Sequence, residues 1–126
     1  MTNFVAVAFG GAVGAILRYL LAVWASTSLE QGEFPWGTLA ANLVGAFLIG
    51  LMTVLFGQWE TATAVRLFLL TGLFGALTTF STLMLELVLL YRYGHTGLLF
   101  TYLSLSLAAG LVLAGAGLAL GERLAG

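Results

Sequence analysis

Cysteine is absent from this chain of 126 residues. That removes disulfides, thiolate metal sites and cysteine nucleophiles together, and it leaves the redox compartment unreadable. Charge is scarce as well: 7% of the residues are charged and the net charge is −1. A soluble domain devotes about 25% of its residues to charge, so this chain cannot coat a water-facing surface of its size. The four basic residues are all arginine and form no stripe, which excludes a nucleic-acid footprint. One histidine and five carboxylates leave little material for acid–base chemistry, and no nucleophile–base pair is visible, so an enzyme is not expected. The opening Met1-Thr2-Asn3-Phe4 has no basic n-region, and the apolar run behind it is too long for an h-region. The first span is therefore expected to be retained, not cleaved as a signal peptide.

What is present is hydrophobic: 61% of the residues, with a mean hydropathy of +1.10. About 20 apolar residues cross about 30 Å of hydrocarbon, and four such runs exist. They are predicted at about Phe4 to Ala25, Trp36 to Phe56, Thr63 to Tyr91 and Gly97 to Leu120. The connections are short. The first ends on the only proline, Pro35, suited to a helix N-terminus where its missing N–H is no loss. The second carries Trp59, suited to anchoring at the membrane interface, and the third carries Arg92 and His95. The expected fold is all-α and integral to the membrane, with residues 1–126 forming a single four-helix transmembrane domain.

Small residues recur four apart at Gly10 and Gly14, Ala41 and Gly45, Ala46 and Gly50, and Gly117 and Gly121. Such pairs let helix backbones approach closely, and packing within one subunit is their ordinary use. Four spans put both termini on one side, with Arg66 and Arg123, against Arg92 on the other. Two against one is almost no positive-inside bias. A chain without bias can insert both ways and meet itself as an antiparallel dimer, unless Arg18 or lipid contacts break the tie.

Polar groups at membrane depth are costly and call for an explanation. Arg18 lies a turn or two from the end of span one, so it can snorkel outward; the alternative is a vestibule charge that attracts anions. Thr38 and Asn42 are four apart and share a helix face. The asparagine N–H donors suit a small, partly desolvated anion, or they serve an interhelical hydrogen bond worth about 1 kcal/mol. The run Gly72-Leu73-Phe74-Gly75-Ala76-Leu77-Thr78-Thr79-Phe80-Ser81-Thr82 interrupts an apolar span with glycines and hydroxyls. That composition invites a mid-membrane break, tolerated only where it is buried in protein or lines a cavity. A break frees carbonyls that suit an alkali cation; otherwise the hydroxyls bond back to their own helix and bend it. Phe80 offers an anion the positive edge of its ring. Thr79, Thr82 and Glu86 share one face, and Tyr102 and Ser106 are four apart in span four. The hydroxyls of Thr38, Ser81, Thr82 and Ser106 can rotate to donate to a passing anion.

Gly10-Gly11-Ala12-Val13-Gly14-Ala15-Ile16-Leu17-Arg18-Tyr19, Gly37-Thr38-Leu39-Ala40-Ala41-Asn42-Leu43-Val44-Gly45 and the run from Gly72 to Thr82 resemble the Fluc (CrcB) fluoride channels. The likeness covers the chain in length, span number and motif order. It implies a fluoride channel in a prokaryotic plasma or inner membrane. It further implies a dual-topology antiparallel homodimer with two pores, a broken third span and a central structural sodium. By position it implies sodium held by the carbonyls of Gly75 and Thr78, and pore roles for Asn42 and Phe80. It likewise implies a polar track through Tyr102 and Ser106, a span-three glutamate at Glu86, and Arg18 in a vestibule. Two positions depart from the pattern. Leu83 stands where a second pore phenylalanine is common, and Gly110 where some members carry a serine.

Two other classes share parts of this signature. A small multidrug exporter is also a four-span, dual-topology dimer, but it needs a membrane carboxylate in span one, where this chain has Arg18 and no Asp or Glu. A non-transporting assembly protein would need no broken third span.

Overall fold

The computed structural model describes residues 1–126, and every regular element in it is helical. The apolar runs become Thr2–Ala25, Trp36–Gln58, Thr63–Arg92 and Thr96–Ala125, each long and apolar enough to cross a membrane. Even the 23 residues of the second extend about 35 Å as a helix, more than the hydrocarbon thickness. The chain is a multi-pass membrane protein. The edges lie within a few residues of those read from hydropathy. The fourth helix runs furthest past its expected end, through Glu122 and Arg123 to Ala125, because a helix continues into the headgroup region where charge is tolerated.

Three of the four runs are single helices: α1 (Thr2–Ala25), α2 (Trp36–Gln58) and the last. The third run is composite. It holds α3 (Thr63–Arg66), a π-helical segment (Leu67–Phe74), α4 (Gly75–Leu77) and α5 (Phe80–Arg92), and the last helix is α6 (Thr96–Ala125). Between α4 and α5 the backbone is extended, with φ −80° and ψ 154° at Thr78 and φ −149° and ψ 122° at Thr79. Pro35 stands at the N-cap of α2, as its lack of an N–H predicts.

Small residues set the packing. A Cβ on Gly10 would collide with the Phe68 carbonyl, and one on Gly14 with the Leu73 carbonyl, so α1 lies directly on the π segment. A Cβ on Gly50 would strike the Ala114 carbonyl, and one on Gly117 the Phe47 carbonyl, which seats α2 on α6. Packing within one subunit is what these glycines serve here. The apolar core is small: Leu39, Leu83, Leu87, Leu90 and Tyr102 form one cluster, with Phe34 edge-on to Tyr102 at 5.4 Å. Only 19 of 126 residues are buried, so most apolar side chains face outward, to lipid or to another chain. At one end, His95 Nε2 lies 3.0 Å from the Glu30 carbonyl, tying the third connection to the first.

Candidate functional site

The polar residues converge on the extended pair Thr78–Thr79. Both are β-branched, which favours extended backbone, and each hydroxyl takes over a helix-end function. Thr78 Oγ1 donates back to the Phe74 carbonyl at 3.1 Å and approaches that of Gly75 at 3.4 Å. Thr79 is the N-cap of α5, its Oγ1 accepting from Thr82 N at 3.2 Å, the ordinary use of a threonine there. Thr78 thus bonds back to its own helix, and Thr79 caps the next.

Asn42 of α2 holds the other side of Thr79. Its Oδ1 accepts from Thr79 N at 2.7 Å and its Nδ2 donates to Thr79 O at 3.2 Å. The carboxamide pairs with the main chain as a neighbouring strand would. At membrane depth each unpaired backbone group costs several kcal/mol, so this pairing permits the extended residue. Of the two uses weighed for Asn42, the interhelical bond is realised, and the second N–H of Nδ2 remains for another acceptor.

These diversions release two carbonyls. In a continuous helix, Thr79 N would donate to Gly75 O and Thr82 N to Thr78 O, four residues back. Here the first N–H goes to Asn42 and the second to the Thr79 hydroxyl. The main-chain oxygens of Gly75 and Thr78 are left without an N–H partner, and such hard oxygens suit an alkali cation. Arg18 Nε donates to the carbonyl next to that of Gly75, Ala76 O, at 3.1 Å.

Not all predicted residues share one space. One groove, of about 350 Å³, is lined by Asn42, Thr78, Thr79, Phe80, Leu83, Ser106 and Gly110 among others. A second, of about 290 Å³, is lined by Arg18, Gly37, Thr38, Thr79 and Thr82 among others. It continues through Gly37, Thr38 and Thr82 to Glu86 and Thr27 in a third, of about 210 Å³. Thr79 alone borders both the first and the second. Thr38 and Asn42, one turn apart, therefore open onto different grooves. Ser81 is exposed and lines none of these three. Tyr102 is fully buried and donates its hydroxyl to Glu86 Oε1 at 3.3 Å, while Ser106, one turn on, joins the Asn42 groove. Ser106 Oγ is buried with no hydrogen-bond partner. Phe80 is 75% exposed on the subunit.

Sequence reasoning missed three contacts. The Asn42–Thr79 pairing and the Arg18–Ala76 bond join residues 37 and 58 apart, and no local pattern specifies them. The third is Gly45, where a Cβ would collide with the Thr78 methyl; its small-residue spacing was the available signal.

Comparison with known proteins matches residues 5–118 to the family profile described as CrcB-like protein, Camphor Resistance (CrcB). A relative from Agrobacterium fabrum, 47% identical over 125 residues, covers 98% of this chain and 99% of its own length. One from Salinibacter ruber is 48% identical over 122 residues, 95% of this chain and 91% of the relative. One from a strain of Thermus thermophilus is 44% identical over 124 residues, 98% and 97% respectively. All three carry the name fluoride-specific ion channel FluC.

Proposed function

This chain belongs to the CrcB-like family of membrane proteins, and from that premise we propose that it is a fluoride channel, conducting passively as an antiparallel homodimer with two pores and a central sodium ion. Residues 1–126 act as one transmembrane domain, and the bacterial sources of the relatives support a plasma or inner membrane location.

The observation that carries the pore reading is the unpartnered, buried hydroxyl of Ser106 in the groove of Asn42 and Phe80. A buried hydroxyl without a partner is unfavourable unless a ligand or water completes it. Fluoride is small and strongly hydrated, so it needs several weak donors in series. A full fixed charge would hold it too long, because conduction requires binding weak enough for exit. Ser106 O–H, the spare Asn42 N–H and the positive ring edge of Phe80 make such a series. The outward exposure of Phe80 suits a ring that meets a second subunit. Thr38, Thr82 and Glu86 extend a polar track through the adjoining grooves, with the buried Tyr102 hydroxyl behind Glu86 and Ser81 exposed beside Thr82. Leu83 adds no ring edge, and Gly110, with no atom within 4 Å of a would-be Cβ, widens the groove where a hydroxyl would stand.

The extended pair Thr78–Thr79 breaks the third span within the membrane, and the two carbonyls released there support a sodium site at Gly75 and Thr78. Bound sodium would supply a positive charge that neutralises converging carbonyl dipoles. Asn42 keeps Gly75 O free by occupying Thr79 N–H, and the Thr79 hydroxyl keeps Thr78 O free by occupying Thr82 N–H. The antiparallel arrangement rests on the near-absence of arginine bias between the two sides.

Efflux from liposomes loaded with fluoride, chloride or a lipophilic cation tests the reading. Fluoride alone should leave. Proton-coupled efflux of the cation would point to a multidrug exporter, and no flux of any solute to an assembly protein. Tags on the termini should be accessible from both membrane faces in similar amounts; a single orientation would refute the antiparallel dimer.

A further inference from the structure

We infer that Arg18 is a positioning residue, which fixes the end of the helical segment before Thr78–Thr79 through its Nε–H and does not act as a charge on the anion's path. The inference rests on the fluoride-channel reading and concerns what keeps that channel's break in shape.

The backbone brings Arg18 there. Gly14 lies so close to the third span that a Cβ would collide with the Leu73 carbonyl. Arg18 is one turn further along the same face of α1, and Ala76 is about one turn beyond Leu73. The glycine contact thus sets the helix separation, and the arginine spans it: Nε lies 3.1 Å from Ala76 O. An arginine at membrane depth is costly unless it pairs, and backbone carbonyls are among its usual partners. Ala76 O belongs to the last turn before the extended pair, where the helical run from Thr63 ends. Carbonyls there are orphaned, and the helix dipole favours a cation.

The bond engages one carbonyl of the last turn. Gly75 O and Thr78 O have lost their N–H partners, while Ala76 O, next to Gly75 O, is taken by Arg18. Holding that carbonyl fixes the rotation of the Ala76 peptide and, through it, of its neighbours. Asn42 holds Thr79 from the other groove, so the junction is gripped from α1 on one side and α2 on the other. A charge serving as an anion attractor would instead be defined by its field, which is insensitive to which nitrogen bears the proton.

That difference makes the test. In arginine, Nε is bonded to Cδ; in glutamine, Nε2 is bonded to Cδ as well. Arg18→Gln keeps an N–H donor in that place without charge. Arg18→Lys keeps the charge with a methylene in that place, and Arg18→Met keeps neither. Each variant is purified as a dimer, and fluoride efflux from liposomes is measured against external sodium. Arg18→Met and Arg18→Lys should lose about tenfold or more in flux, the factor given by about 1.4 kcal/mol, and need more sodium for half-maximal flux. Arg18→Gln should stay within about threefold of the parent, a difference of well under 1 kcal/mol. Flux kept by Arg18→Lys and lost by Arg18→Gln would overturn the inference in favour of a fixed charge. Parental flux in all three, or failure of Arg18→Gln to form a dimer, would overturn it outright. Absence of fluoride flux in the parent protein would instead remove the channel reading on which it stands.

Discussion

An alanine at position 45 would put its Cβ on the Cγ2 methyl of Thr78. The next atoms out are at ordinary distances: Thr78 Cβ at 3.6 Å and Phe74 O at 3.9 Å. The conflict is therefore with one methyl group. Thr78 cannot evade it by rotating, because its hydroxyl is engaged with Phe74 O, and giving up that bond costs about 0.5–1.5 kcal/mol. Forcing extra volume into a packed site costs about 1–3 kcal/mol, so Gly45→Ala should destabilise the protein by that amount and disturb the junction. Thr78→Ser alone removes the methyl and keeps the hydroxyl, a loss of about 1 kcal/mol. Combined, the alanine methyl fills the space that the threonine methyl vacated. The double variant should recover to within about 1 kcal/mol of the parent, with a coupling energy of about 1–3 kcal/mol between the two positions. Thermal unfolding of the detergent-solubilised protein measures the cycle, and fluoride efflux shows whether the junction is restored. A double variant no more stable than Gly45→Ala, or a neutral Gly45→Ala, would refute the assignment of Gly45 to seating Thr78.

Three further outcomes are expected. Asn42→Asp keeps an acceptor for Thr79 N–H but loses the Nδ2 donors, so it should abolish fluoride efflux while the dimer survives on size-exclusion chromatography; Asn42→Leu, lacking both partners, should also lose the dimer. Phe80→Ile should cut flux severely for want of a ring edge. Leu83→Ala should cost less flux per folded protein, but because Leu83 is buried it should lower unfolding stability by about 2–5 kcal/mol; equal flux losses would remove the special role of the ring. Thr78→Ala should leave the sodium dependence of flux largely unchanged, since the hydroxyl points back to Phe74 O and Gly75 O; loss of that dependence would show the side chain, not the main chain, to be the ligand.

Much of this protein was legible in the amino-acid order. Membrane insertion depends on composition over windows of about 20 residues, so the four spans follow from hydropathy alone, and their edges to within a few residues. Pro35 at a helix start and the close-packing glycines were likewise readable, because the missing N–H and the missing Cβ are properties of single residues. The stretch from Gly75 to Phe80 could be marked as unusual, since glycine and paired threonines in an apolar span are a local anomaly. What tertiary structure decided was which neighbour satisfied each exposed backbone group. The order could not say that Thr78 would bond back while Thr79 capped the next helix, because the two have the same side chain and differ only in what packs against them. Nor could it say that Asn42 would pair with both main-chain groups of Thr79, or that Arg18 would turn to Ala76 and not outward. Those choices depend on how far apart α1, α2 and the third span lie, and that separation is set by Gly10, Gly14 and Gly45 in contact with atoms more than thirty residues distant.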